Sequence, residues 1–297
     1  MKQPAYLSSG DRVALISTAR KIDLRIFNSA VDVFKSWGLE IVPGKNLFAE
    51  EDQFAGSDAL RLEDLQHALD DPTISAIICA RGGYGTVRIL DSIDWSKFLK
   101  LPKWVIGYSD VTFLHGQLQV LGIESLHASM PVNFSSNSKE SLESLKSALF
   151  GERLNYAVQP HEFNKTGQAK GELIGGNLSI LYSMNGSPSF PETAGRILFL
   201  EDLDEYLYHI DRMMISLKRA GHFKNLSGLI VGGMSDMNDN DVPFGKTAYE
   251  IIRDTLKDYS FPVCYGFPAG HIDDNRALIM GRKVELSIDA GGCRLSF

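Results

Sequence analysis

The chain has 297 residues, 44% hydrophobic and 23% charged, the composition of an ordinary globular protein with room for two domains. Its 37 acidic residues outnumber 30 basic ones, giving a formal net charge of -7, and no dense Lys/Arg run occurs, which argues against a nucleic-acid surface. No segment reaches the ~20 apolar residues of a bilayer span, and no apolar signal region opens the chain, so a cytoplasmic protein without a membrane partner is expected.

In chain order, Val13–Ser17 reads as a compact apolar strand, followed by a helix over Ile26–Trp37 that Gly38 stops. Leu39–Val42 is strand-like. Ser57 caps a helix whose Leu62, Leu65 and Leu69 share one face, and Asp71-Pro72 ends it. Ile74–Ala80 and Trp104–Ile106 are further buried strands. Strands separated by helices require right-handed crossovers, so residues 1–150 should form a doubly wound, flavodoxin- or Rossmann-like parallel-sheet α/β domain. Residues 151–170 are polar and irregular and read as a linker. Residues 171–297 read as a mixed α+β domain. It holds the turn Gly175-Gly176-Asn177, the strand Ile197–Leu200, a helix from about Asp204 to Ala220, and a closing hairpin, KVELSI-DAGG-CRLSF.

Two corners follow buried strands. In the first, Gly107-Tyr108-Ser109-Asp110 turns a strand into a helix, which pushes the Ser109 hydroxyl out of the sheet and brings unpaired helix N–H groups beside it. The nucleophile-elbow pattern GxSxG is half met, since Val111 replaces the second glycine; a simple helix cap by Ser109 or Asp110 is the plainer alternative. The second corner, Arg81-Gly82-Gly83, can offer backbone N–H groups to an anion. It fits neither a dinucleotide fingerprint, because Arg88 stands where the third glycine belongs, nor a phosphate-binding P-loop. Both corners lie at the carboxyl ends of predicted parallel strands, where α/β sheets place ligands.

A serine nucleophile needs a base and an orienting carboxylate. Among the histidines, His67 and His115 fall on helices and read as surface or satisfied core residues. His127 follows the elbow helix and could border the same cleft. His271 lies in the Gly/Pro-rich loop YGFPAGHIDDNR. Glu201 ends an apolar strand on the same face as Ile197 and Phe199. It is either a carboxylate seeking a partner or the start of a solvated acidic run with Asp202, Asp204 and Glu205, and the residues alone leave both open. Cys79, Cys264 and Cys293 are scattered and odd in number, with no CxxC or HExxH spacing, so no metal is expected. The Asp236–Asp241 stretch lacks the glycine and glutamate of a calcium loop and reads as an exposed loop.

Six stretches, in order, resemble the LD-carboxypeptidases, serine peptidase family S66: ARGGYGTVRILDSIDW, KWVIGYSDVTFLH, GGNLS, ILFLEDLDE, GGMSDMNDNDVPFG and GFPAGHIDDNRALIMG. The resemblance implies a Ser–His–Glu triad at the interface of the two domains, with Ser109 as nucleophile, His271 as base and Glu201 as its orienter. It implies an oxyanion hole from the N–H of Asp110 and of the Arg-Gly-Gly turn, with Gly83 preferred to Gly82. It further implies a homodimer without cofactors that removes a terminal D-alanine from murein peptides at an L,D bond, in cytoplasmic cell-wall recycling. Where the family often has His-Gly-Pro, this chain has His127-Ala128-Ser129-Met130-Pro131. A second branch, the microcin-C-type immunity peptidases, cleaves peptide–nucleotide conjugates with longer chains and an aromatic insertion, which 297 residues without such an insertion fit less well. A non-catalytic binding protein would require Ser109 and His271 to lie too far apart for a hydrogen bond. An amidotransferase would want cysteine at the elbow.

Overall fold

The computed structural model describes all residues, Met1–Phe297. The first half alternates β1 (Arg12–Ile16), α1 (Leu24–Ser36), β2 (Glu40–Pro43), α2 (Asp58–Asp70), β3 (Ile74–Cys79), α3 (Val87–Leu90), β4 (Trp104–Gly107), α4 (Thr112–Val120), β5 (Ser125–His127) and α5 (Lys139–Phe150). Side-chain caps set three of these helices, each accepting a hydrogen bond from a first-turn N–H: Asp23 from Ile26, Ser57 from Leu60 and Ser138 from Ser141. The second half holds β6 (Asn155–Val158), β7 (Gly167–Asn177), α6 (Leu178–Met184), β8 (Ile197–Leu203), α7 (Leu207–Ala220), β9 (Gly228–Ser235), α8 (Ala248–Leu256), β10 (Val263–Cys264), β11 (Leu278–Met280), β12 (Lys283–Asp289) and β13 (Gly292–Ser296).

The first sheet has the order β11-β5-β4-β3-β1-β2. Strands β1 to β5 pair in parallel, as the strand–helix alternation predicts. The strand order reverses between β1 and β3, so the loops leaving their carboxyl ends flank a crevice. The corner Arg81-Gly82-Gly83 leaves β3, and Ser109 follows the neighbouring β4. The second sheet runs β10-β9-β8-β7-β12-β13-β6, parallel from β10 to β7 and antiparallel from β7 to β6. It curls strongly: Phe267, just past β10, packs edge-on against Tyr156 of β6 at 5.8 Å, although the two strands end opposite sides of the order.

Three local readings change. The Gly175-Gly176-Asn177 turn is the end of the long strand β7, and Asn177 caps α6 by accepting from the Ile180 N–H at 3.1 Å. Residues 151–170 are not wholly irregular, because β6 forms there and pairs with β13. The polar alternation of an edge strand is what makes such a segment look like a loop. Finally β11, from the second half, joins the first sheet antiparallel to β5, pairing Leu278 with His127. One apolar core consequently runs from Leu15 and Ile106 through Leu126 and Leu278 to Phe199 and Ile230, across both sheets. No helix is long and apolar enough to cross a membrane.

Candidate active site

Gly107 ends β4, and Ser109 then takes φ +62°, a left-handed conformation that costs a non-glycine residue on the order of 1–3 kcal/mol. Its neighbours Tyr108 and Asp110 are buried while Ser109 remains partly exposed, so the turn presents the hydroxyl at the carboxyl end of the strand. The strain is held from below. Asp110 is buried and its Oδ2 accepts the Thr86 N–H at 2.8 Å, tying the elbow to the loop after β3. Burial pushes the Asp110 carboxyl above its usual range, against that hydrogen bond. Arg61, buried on α2, donates to the carbonyls of Thr18 at 2.6 Å and Gly85 at 2.9 Å, locking the two loops of the crevice together.

The glycine corner comes up against Ser109. A methyl on Gly82 would sit 2.9 Å from Ser109 Cβ and 3.0 Å from its Oγ, so the close approach demands glycine. Gly83 lies one residue further on, beneath the Arg20 side chain. The peptide between the two glycines therefore runs beside Ser109.

Glu201 sits on β8 and is fully buried. Next to it, β9 carries an extra residue, with Leu200 opposite Val231 but Asp202 opposite Met234. That bulge admits the loop after β10, where the Gly233 N–H donates to Ala269 O at 2.9 Å. Gly270 then passes so close that a Cβ would lie 2.7 Å from Glu201 Oε2. The result is a direct pair: His271 Nδ1–H donates to Glu201 Oε2 at 2.6 Å, and the His271 backbone N–H donates to the same oxygen at 3.2 Å. Burial opposes the Glu201 charge, yet the His271 imidazole and the His127 ring outweigh it and hold the carboxyl far below the usual carboxylate range. For His271 the same contest ends upward, because Glu201's charge and hydrogen bond overcome burial.

The residue before Ser109 packs on the His271 ring. Tyr108 lies 4.7 Å, centroid to centroid, from His271. The hydrogen bonds of His271 run to Glu201 and, through its carbonyl, to the Ser235 hydroxyl at 2.6 Å, and none reaches Ser109. Hydrogen bonds that catalysis requires are often long in an unliganded enzyme. Asp274 is turned away to Arg276 at 2.9 Å, which leaves Glu201 as the carboxylate on the His271 ring.

Of the other histidines, His67 is exposed, and His115 is a satisfied core residue bonded to Ser125 Oγ and Gly107 O, both at 2.8 Å. His127 borders no open cleft; it is fully buried behind Glu201. The acidic run splits, with Glu201 and Asp202 buried and Asp204 exposed. Asp202 accepts from the Asn177 amide and the Ser179 and Leu203 N–H groups, each at 2.9 Å, and burial with the Glu201 charge pushes it up to about 7. Sequence reading missed Asp202 and Arg61. Arg61 had a signal: it falls four and eight residues before Leu65 and Leu69, inside the buried stripe of α2.

Residues 13–128 match the N-terminal domain of the LD-carboxypeptidases and residues 170–286 their C-terminal domain. The chain belongs to the LD-carboxypeptidase family. It is a serine-type carboxypeptidase of that family. A Bacillus subtilis relative named "Probable murein peptide carboxypeptidase" is 34% identical, over 96% of this chain and 91% of its own. The murein tetrapeptide carboxypeptidase of Pseudomonas aeruginosa is 30% identical, over 93% of this chain and 92% of its own. The crystal structure of the muramoyltetrapeptide carboxypeptidase from Oxalobacter formigenes superposes with a TM-score of 0.87 at 28% identity, covering 96% of this chain and 98% of that one. The microcin C7 self-immunity protein MccF shares the fold at a TM-score of 0.88 and 22% identity, covering 99% of this chain and 98% of its own.

The packing at Gly82 gives a direct test. In Gly82→Ala the new methyl must displace Ser109, and a shift approaching 1 Å costs on the order of 10²-fold in kcat. The melting temperature should change by only a few degrees, because the methyl strains one turn and leaves the core intact. Steady-state kinetics and a thermal melt on the same preparation check both.

Proposed function

We propose that this enzyme hydrolyses the L,D-peptide bond before a terminal D-alanine in murein peptides, acting as a cytoplasmic homodimer in cell-wall recycling. The observation that carries the reading is the fully buried Glu201 bonded to His271 at 2.6 Å, with the His271 ring packed 4.7 Å from Tyr108, the residue that precedes a serine held in a strained strand-to-helix turn. The names of the Bacillus, Pseudomonas and Oxalobacter relatives support the murein substrate. The likeness to MccF extends to the fold and leaves the immunity reading without an observation of its own.

In this mechanism His271 Nε2 takes the Ser109 proton as Oγ attacks the scissile carbonyl. Glu201 fixes the tautomer with the proton on Nδ1 and stabilises the imidazolium that forms. The N–H groups of Gly83 and Asp110 receive the oxyanion. His271 then protonates the leaving amine of D-alanine, and water, activated by the same imidazole, releases the acyl group from Ser109. The sequence of steps needs neither metal nor cofactor.

A carboxypeptidase must also hold the free carboxylate. Arg81 is half-buried, and burial followed by the like charge of Arg20 pushes its guanidinium down from the ordinary arginine range. A carboxylate between Arg20 and Arg81 relieves that repulsion, and both flank the glycine corner beside Ser109.

Ser109→Ala should lower kcat by roughly 10⁴- to 10⁶-fold without loss of fold, measured by chromatographic release of D-alanine from a murein tetrapeptide. A residual rate above one tenth of wild type would remove Ser109 from the mechanism. The pH dependence follows from the raised His271. Because the base works when neutral, kcat/KM should rise with pH through one ionisation whose midpoint lies above the usual histidine value of about 6.5. In Glu201→Gln the raising charge is gone and burial prevails, so the midpoint should move downward while kcat falls. A third assay compares one tetrapeptide ending in D-Ala, L-Ala or D-Ala-amide. Only the D-Ala acid should be cleaved efficiently, since inverting the last centre or removing the anion misplaces the carbonyl. Equal turnover of all three would mean a general peptidase.

A further inference from the structure

Glu201 has two oxygens, and the mechanism uses one. Oε2 takes both hydrogen bonds from His271, whereas Oε1 is buried without a hydrogen-bond partner. Facing it is His127 Nε2 at 4.0 Å, and both nitrogens of that imidazole are likewise buried and unpartnered. Glu201 and His127 are each completely buried. The box around His127 is aromatic: Phe199 packs edge-on at 5.0 Å, Tyr108 edge-on at 5.7 Å, and His115 lies at 6.3 Å. His115 cannot serve as its partner, because both of its nitrogens are engaged by Ser125 and Gly107.

A buried imidazole with no partner is costly, and a buried carboxylate oxygen with none is costlier. Two such groups aimed at each other across 4.0 Å need a closure of only about 1 Å to form a charge-assisted hydrogen bond. The backbone prepares this meeting. His127 pairs with Gly107 on one side, at the root of the elbow, and with Leu278 on the other, just beyond the His271 loop.

We propose that His127 is a positioning residue of the triad, its Nε2–H donating to Glu201 Oε1 so that the carboxylate is held between two imidazoles. The proposal rests on the triad reading above. With Oε1 anchored, Glu201 cannot rotate away from His271, and its charge is retained in a site that burial would otherwise neutralise. The groups facing Glu201 are then His271, His127, the Tyr108 ring and the neighbouring Asp202. His127 touches neither substrate nor reacting atoms.

The test uses the full-length enzyme with His127→Phe, which fills the aromatic box but removes both nitrogens, and His127→Gln, which keeps an N–H donor. His127→Phe should lower kcat by roughly 10- to 10²-fold with KM within about twofold, the signature of a misplaced catalytic group. The downfield proton resonance of His271 Nδ1–H should shift upfield and exchange faster in that variant. His127→Gln should recover most of kcat and of the resonance, a rescue that a packing role would not produce. In the unmodified protein, ¹⁵N-histidine NMR should find the His127 proton on Nε2, and Glu201→Gln should move that signal; this measurement decides the matter if His127→Phe does not fold. A proton on Nδ1 instead, or a folded His127→Phe with wild-type kcat and an unchanged His271 resonance, would overturn the proposal. If Glu201→Gln itself keeps wild-type kcat, it is the triad that fails, and the two failures are told apart.

Discussion

A carboxylate with no solvent exposure, Glu201, is the constraint around which the second sheet and its loops are arranged. Taking such a charge out of water costs several kcal/mol unless hydrogen bonds replace the lost hydration. His271 supplies two of them, from ring and backbone, and the chain is shaped to deliver both. The bulge in β9 opens room for the incoming loop. Gly270 removes the Cβ that would strike Glu201. Beyond His271 the loop is stapled to the first half: the Ser138 N–H donates to Asp273 O at 2.8 Å, and Ser141 Oγ to the same carbonyl at 3.0 Å. The Gly270 N–H donates to the Asn275 side chain at 2.8 Å, completing a loop with little freedom to withdraw its histidine.

The Ser109 side is built on an opposite logic. There the chain stores strain instead of burying charge, holding Ser109 in a left-handed conformation between two buried residues. Such a turn persists only where its surroundings over-determine it. Asp110 anchors it to Thr86, Arg61 anchors the Thr86 loop to the loop after β1, and Gly82 closes on the serine itself. The strand-order reversal between β1 and β3 places all of this in one crevice.

What joins the two sides is β11. By pairing with β5 in the first sheet, this short strand from the second half fixes the His271 loop against the elbow. The core is continuous across the same junction, so the two halves meet through packed side chains and not through a hinge. An interface of this kind suits the proposed triad, whose members come from different sheets, since tolerances near 1 Å decide rates.

Much of the architecture was legible in the residues. Apolar runs separated by amphipathic helices, with Ser57 as a cap, determined a parallel α/β sheet, because local periodicity and capping act over a few residues. The corners at Ser109 and Gly82 followed from glycine and serine placed after buried strands, and the LD-carboxypeptidase motifs named Glu201 and His271 as their partners. Chemistry alone could not choose between a paired and a solvated Glu201, because the residues beside it in sequence, Asp202 and Asp204, end up on opposite sides of the solvent boundary. That boundary is set by the curl of the second sheet and the bulge in β9, which depend on contacts between residues far apart in the chain. For the same reason β6 looked like a linker, β11 gave no sign of crossing to the other sheet, and His127 could not be placed behind the carboxylate. Sequence determined which groups the site contains; only the packing of one sheet on the other decided which of them face each other.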